Sequence, residues 1–198
     1  MGGRRGFRQR QSLSGDLFGF VIGYAVTVAT VALMRPRQVL AFHLPAFLPL
    51  LLLAPFAGIA CILLEYVAGI LLLFIQTKKL VTRVTIDSSY SAVPRIGVLD
   101  VLSVLALVIG EEIMLRQLLY NLLATDLAMA PCIVTPLCAA AYALNHLSFG
   151  VRSVISKLPS GLIYVLLFYV SGLSIAVVII AHTAQNLTLL AWSRKQRS

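Results

Sequence analysis

The feature that most constrains this chain is a succession of long apolar runs, each bounded by polar or basic residues. A bilayer's hydrocarbon core needs about 20 consecutive apolar residues in a helix to span it. Leu17–Met34 is one such run, and it ends at Arg35-Pro36-Arg37. A long apolar stretch from Val39 to Gln76 is broken by Pro45, Pro49 and Pro55. Prolines interrupt helices, so the preferred reading is an interfacial or re-entrant segment over 39–54 followed by a span from Pro55 to Gln76. A short hairpin is the alternative. Val98–Ala124, Ala128–Leu147, Pro159–Val170 and Leu173–Trp192 complete a set of six expected spans, with a turn at Ser171-Gly172.

Composition agrees. Hydrophobic residues make up 60% and charged residues 12%, against about 25% charged in a soluble domain. This excludes disorder and an ordinary soluble enzyme. The expectation is an all-α, polytopic transmembrane helix bundle of about six spans. A basic N-terminus over 1–14 precedes a single membrane-embedded domain over 15–192, and a basic tail over 193–198 follows it. The first run follows a basic head, as a signal peptide would, but lacks a clear small-x-small cleavage site and reads as a retained anchor. Gly15, Gly19 and Gly23 recur every fourth residue and predict a face for close helix approach.

The net charge is +9. No basic stripe interleaved with aromatics accompanies it, so nucleic acid is not an expected partner. The basic residues flank the apolar runs instead. With six spans, the N-terminus, the 77–95 segment, a basic loop at 150–158 and the C-terminus share one side. The positive-inside tendency makes that side cytoplasmic, in the plasma membrane if the source is bacterial. Cys61, Cys132 and Cys138 lie in apolar stretches without metal-type spacing and read as small hydrophobic packers.

The informative residues are the polar ones inside apolar runs, because an ionisable group in a membrane helix marks function by default. In Val108-Ile109-Gly110-Glu111-Glu112-Ile113-Met114-Leu115-Arg116, Glu111 stands about 20 Å along its helix at 1.5 Å per residue. Glu112 and Arg116 are four apart and can pair. Glu111 points elsewhere and suits a general base or acid. Tyr142 and His146 share a face of the next run, and His182 and Asn186 share a face of the last. Taken singly, the last two motifs read as structural as readily as catalytic.

Three successive helices can converge these groups on one wet cavity, where their polar atoms find partners. A carboxylate with an imidazole can deprotonate water. A histidine with an asparagine can donate to the oxyanion of a tetrahedral intermediate. The set points to hydrolysis of an amide or ester within the membrane. No serine, cysteine or paired-aspartate arrangement competes, and no H-E-x-x-H zinc motif is present. Two other readings stay open. Glu111, His146 and His182 form a legitimate zinc trio with water as fourth ligand. Intramembrane Glu, His and Arg also build proton paths, so a transport protein or a non-catalytic scaffold fits the same composition. Glu65, inside its own apolar run, reads as a structural partner for Arg116 or as a hydrogen-bonding group. His43 and Asp100 stand near segment ends and read as interfacial.

At Glu111-Glu112 with Arg116, Tyr142 with His146, and His182 with Asn186, the sequence resembles the CAAX protease and bacteriocin-processing family of glutamate-type intramembrane proteases. The family pattern is E-E-x-x-x-R, F-x-x-x-H and H-x-x-x-N on successive helices, and the resemblance spans about 97–192. It implies that Glu111 activates water with help from His146, that His182 and Asn186 form the oxyanion hole, and that Glu112, Arg116 and Tyr142 brace the site or orient substrate. It implies no cofactor. The substrate it implies is a membrane-associated protein or peptide, lipidated or not. Tyr142 stands where Phe is usual, and Leu115 and Gln117 flank Arg116 where Phe and Gly are common.

Overall fold

The computed structural model describes residues 13–39, 41–79 and 96–195, whose regular structure is helical with no strand among them. The helices are α1 (Leu13–Met34), a single turn α2 (Pro36–Val39), α3 (Pro49–Thr77) and α4 (Val98–Glu112). The α4 backbone then widens into a π-helical stretch, Ile113–Leu118. It tightens for one turn, α5 (Leu119–Asn121), and widens again over Leu122–Asp126. α6 (Pro131–Leu144), a 3-10 turn (Leu147–Phe149), α7 (Val151–Val170) and α8 (Ile175–Lys195) follow.

Among the described residues, four helices are long and apolar enough to cross a bilayer: Leu17–Met34, Pro49–Thr77, Val151–Val170 and Ile175–Ser193. The two other expected spans are helical without meeting that description. One is interrupted by its π stretches, and the other is the shorter helix Pro131–Leu144. The exterior is apolar: Phe18, Val26, Leu33, Leu52, Phe56, Leu63 and Leu166 are all exposed. Apolar side chains displayed this way need lipid as their solvent.

Two boundaries differ from the sequence reading, each at a proline. The second span begins at Pro49, and Pro55 sits inside its helix. A proline in the first turn has no intrahelical hydrogen bond to lose, which makes Pro49 the natural start. The stretch expected as a basic loop at 150–158 is the first part of α7, with Arg152 and Lys157 on the helix and Pro159 inside it. Lys157 is tolerated there because its ammonium meets Glu65 of α3 at 2.8 Å. Glu65 thus pairs with Lys157, not with Arg116. The turn at Ser171-Gly172 is where expected, with Gly172 at φ +75°.

Helix pairs approach where glycine removes a side chain. A Cβ on Gly58 of α3 would overlap the carbonyl oxygen of Ala181 in α8, and one on Gly161 of α7 would stand 2.8 Å from the carbonyl of Ala139 in α6. The predicted Gly15/Gly19/Gly23 face does not act this way. Nothing lies within 4 Å of a Cβ on Gly19 or Gly23, and the surroundings of Gly15 lie outside the described residues. α1 instead docks on α4 by setting Tyr24 against Gly110, where a Cβ would meet the tyrosine Cβ at 2.8 Å. Gly58→Ala is therefore expected to destabilise the detergent-solubilised protein by about 1–3 kcal/mol. Gly19→Ala should leave it unchanged or slightly more stable. Thermal unfolding of the two variants checks this.

The 35–48 segment packs at the end of the bundle that holds Asp126 and Ser171. Arg35 and Gln38 both donate to Asp126, Gln117 donates to the carbonyl of Ala41, and the Ala46 N–H donates to the Ser171 carbonyl. At the start of α4, buried Asp100 accepts the Gly97 N–H at 2.8 Å, which satisfies a free helix-end donor. His43 is exposed. Cys61 and Cys138 are buried packers as expected, but Cys132, in the first turn of α6, is exposed. The 1–12 segment, 80–95 and the last three residues fall outside the described residues, so the readings of the basic N-terminus, of most of the 77–95 segment and of the end of the tail are not addressed.

Candidate active site

Two adjacent glutamates near the end of α4 carry the site. Successive residues on a helix point about 100° apart, and both carboxylates are nonetheless buried, because α8 on one side and the α1 and α6 flanks on the other supply partners. Glu112 is fully buried and takes the Nδ1 of His182 at 2.6 Å on Oε1. Its other oxygen lies 3.2 Å from the Arg116 Nε, so the four-residue pair read from the sequence is present. Glu111 is held differently. Its Oε1 accepts the amide of Asn145 at 2.8 Å and the hydroxyl of Tyr24 at 3.5 Å. Its Oε2 faces the His182 Nε2 at 3.8 Å. His182 therefore stands between the two carboxylates, one nitrogen toward each.

Tyr142 is the hub. Fully buried, it has the His146 ring at 5.0 Å on one side and the His182 ring at 5.7 Å on another, with the Arg116 guanidinium 4.6 Å above its face. Arg116 is fully buried as well and lies 5.5 Å from the Tyr164 ring. A guanidinium over two aromatic faces gains cation–π attraction. Its nitrogens make no hydrogen bond among the described residues, and neither does the Tyr142 hydroxyl. Buried donors left over in this way mark a polar interior that suits water or a polar ligand.

His146 lies just past α6, not inside it. Its Nδ1 is 3.0 Å from the Tyr142 carbonyl. A carbonyl can only accept, so Nδ1 carries the hydrogen and, in the neutral ring, Nε2 is the nitrogen with the lone pair. No hydrogen bond or ion pair joins His146 to Glu111 among the described residues. The link runs through Tyr142 and through Asn145, the residue next to it. Asn186 is buried one turn beyond His182 on α8, and its side chain makes no hydrogen bond among the described residues.

The structure thus gathers Glu111, Glu112, Arg116, Tyr142 and His182, with His146 against Tyr142 and Asn186 one turn along α8 from His182. Sequence reasoning missed Asn145 and Tyr24. Asn145 carried a signal, being a polar residue beside His146 at the end of an apolar run. Tyr24 carried only its hydroxyl in the middle of an apolar run. Among the described residues, no three of His, Cys, Asp or Glu are grouped as a metal-holding set. His182 directs Nδ1 to Glu112 and His146 directs Nδ1 to a carbonyl, so Nε2 is the remaining nitrogen of each ring.

Residues 96–188 match the family model described as type II CAAX prenyl endopeptidase Rce1-like. The matched segment contains every one of the expected site residues, from Glu111 to Asn186. No curated protein and no solved structure matches the chain.

Proposed function

We infer, for a chain that belongs through residues 96–188 to the Rce1-like family of type II CAAX endopeptidases, an intramembrane protease that uses Glu111 as its base. That it is a CAAX-type endopeptidase of a helical membrane fold is the family-level statement. The mechanism and the residues are our proposal.

The observation that carries it is the asymmetric holding of Glu111. One oxygen is tied by Asn145 and Tyr24, and the other is directed at His182. A general base needs one oxygen kept free and aimed at the proton it takes. In the proposed reaction, a water attacks the scissile carbonyl carbon as Glu111 takes one of its protons. His146, whose Nε2 holds a lone pair, assists in orienting that water. The carbonyl oxygen becomes an oxyanion held by the Asn186 amide and by the Nε2–H of His182, which donates there when both of its ring nitrogens carry hydrogen, Nδ1–H being given to Glu112. The C–N bond then breaks, and the proton held by Glu111 passes to the departing amine. Glu112 and Arg116 fix His182 and the wall behind it, and Tyr142 keeps the two imidazoles apart.

The proposed substrate is a membrane-associated protein or peptide presented at the bilayer, with a prenylated peptide ending in a CAAX sequence as the first probe to use. The proposed topology places both termini, and the end of α6 with His146, on the cytoplasmic side. The basic residues at those ends support it.

No metal is part of this proposal. Purified enzyme in proteoliposomes is expected to cleave a prenylated CAAX peptide at an unchanged rate after exhaustive chelation. Loss of turnover restored by added zinc would favour the hydrolase in which Glu111, His146 and His182 bind the ion. Scissile-bond cleavage that is insensitive to chelator and absent in Glu111→Gln supports the protease reading.

A further inference from the structure

Next to His182 lies a second buried polar cluster that the three motifs do not include. Glu65 of α3 is buried and accepts three hydrogen bonds: Lys157 Nζ on Oε2 at 2.8 Å, and Ser160 Oγ at 2.6 Å and Gln185 Nε2 at 2.8 Å on Oε1. A carboxylate offers only acceptors. It therefore fixes the Gln185 amide with its NH2 toward α3 and its oxygen toward α7. That oxygen accepts the hydroxyl of Tyr164. Gln185 and Tyr164 are both fully buried. The Tyr164 ring then stacks on His182, with centroids 5.0 Å apart and planes 31° apart.

We propose that Tyr164, oriented through Gln185 by Glu65, is a positioning residue for His182. The inference rests on the protease reading. His182 has two hydrogen-bonding edges, and both are directed at glutamates. Those contacts set where its nitrogens lie, but a single short bond to Glu112 leaves the ring free to swing about that bond. The Tyr164 face removes that freedom, and the Glu65–Gln185–Tyr164 chain is what keeps the tyrosine from turning. The chain crosses three helices, so it also couples the packing of α3, α7 and α8 to the ring that meets the substrate. A buried hydrogen-bonded network of this kind specifies one arrangement when each member is satisfied.

The test uses the full-length enzyme in proteoliposomes with a prenylated CAAX peptide, reading kcat and KM separately together with thermal unfolding. Tyr164→Phe keeps the ring and the shape. It is expected to lower kcat about tenfold through loss of alignment, with KM within about threefold. Glu65→Leu removes the acceptor that orients Gln185, and its kcat is expected to fall by about as much. Glu65→Gln keeps an acceptor for Gln185 while losing the charge that meets Lys157. Its kcat should fall less than about threefold, although its unfolding temperature drops as that of Glu65→Leu does.

A purely structural cluster would move stability in both Glu65 variants and split their kcat values in neither. Equal kcat for Glu65→Gln and Glu65→Leu, or full kcat in Tyr164→Phe, overturns the proposal. Glu111→Gln measured in parallel separates the two ideas. If it is inactive while Tyr164→Phe turns over normally, the positioning role fails and the protease reading stands. If Glu111→Gln itself turns over normally, the protease reading fails first.

Discussion

Glu111→Gln is expected to lower kcat on a membrane-presented peptide by about 10^2–10^4-fold, the range for removing a positioned general base. The substitution is nearly isosteric. A glutamine oxygen at the Oε1 position can still accept from Asn145 and Tyr24, so the helix contacts that hold residue 111 survive. What changes is the group facing His182 across 3.8 Å, which becomes an amide that cannot take a proton. Folding, insertion and KM should therefore stay close to wild type while turnover is lost. Circular dichroism and size-exclusion behaviour in detergent check the first part, and steady-state kinetics check the second. His146→Ala belongs to the same experiment and should lower kcat without restoring a metal requirement.

The second large effect is on stability. Arg116→Leu should destabilise the fold by about 3–5 kcal/mol, because it leaves the fully buried Glu112 without its cationic partner. The loss also removes the guanidinium from above Tyr142 and Tyr164. Pairing it with Glu112→Leu should recover part of the stability, since two apolar residues leave no uncompensated charge behind. Activity should not recover, because His182 then loses the 2.6 Å bond that fixes its Nδ1. Thermal unfolding of the two single variants and the double variant reads the first statement as a double-mutant cycle. Stability of Arg116→Leu equal to wild type would mean that the pair is not what holds the two helical segments and the tyrosine wall in register.

The residue types that make the site were legible in the sequence because the bilayer makes them costly. Helical spacing was sufficient for partners four residues apart: Glu112 with Arg116, and Tyr142 with His146. It also carried past the point where the helix widens into π geometry, since Arg116 still reaches Glu112 from within the π stretch. Contacts between elements were legible only as a hope of convergence. That His182 would stand between both glutamates depends on the packing of α4 against α8, which no local spacing encodes. Asn145 reaches Glu111 because α6 stops at Leu144 and the chain turns there, whereas the sequence suggested helix through Leu147.

The misreadings share one physical source. Lys157 looked like a loop residue and Pro159 like the start of a span, because a charge and a proline are each costly within a membrane helix. The cost of the charge is met by Glu65, 92 residues away in the chain. Gly15, Gly19 and Gly23 looked like a packing face because their spacing is regular, while the glycines that do admit a neighbour, Gly58, Gly110 and Gly161, stand alone. Periodicity reports what one helix could offer, and only the neighbour decides whether the offer is taken. The family match begins at residue 96, so it includes α4 to most of α8 but neither α1 nor α3. Those two helices nonetheless supply Tyr24 and Glu65, on either side of the motif-bearing core.

The most direct test of the central claim is quantitative mass spectrometry of membrane-derived peptides from cells producing the wild-type chain and from cells producing Glu111→Gln at equal membrane abundance. The account predicts a set of new termini from membrane-associated proteins that are present with the wild-type chain and missing with the variant. Identical peptide sets, with both proteins inserted and folded, would contradict it.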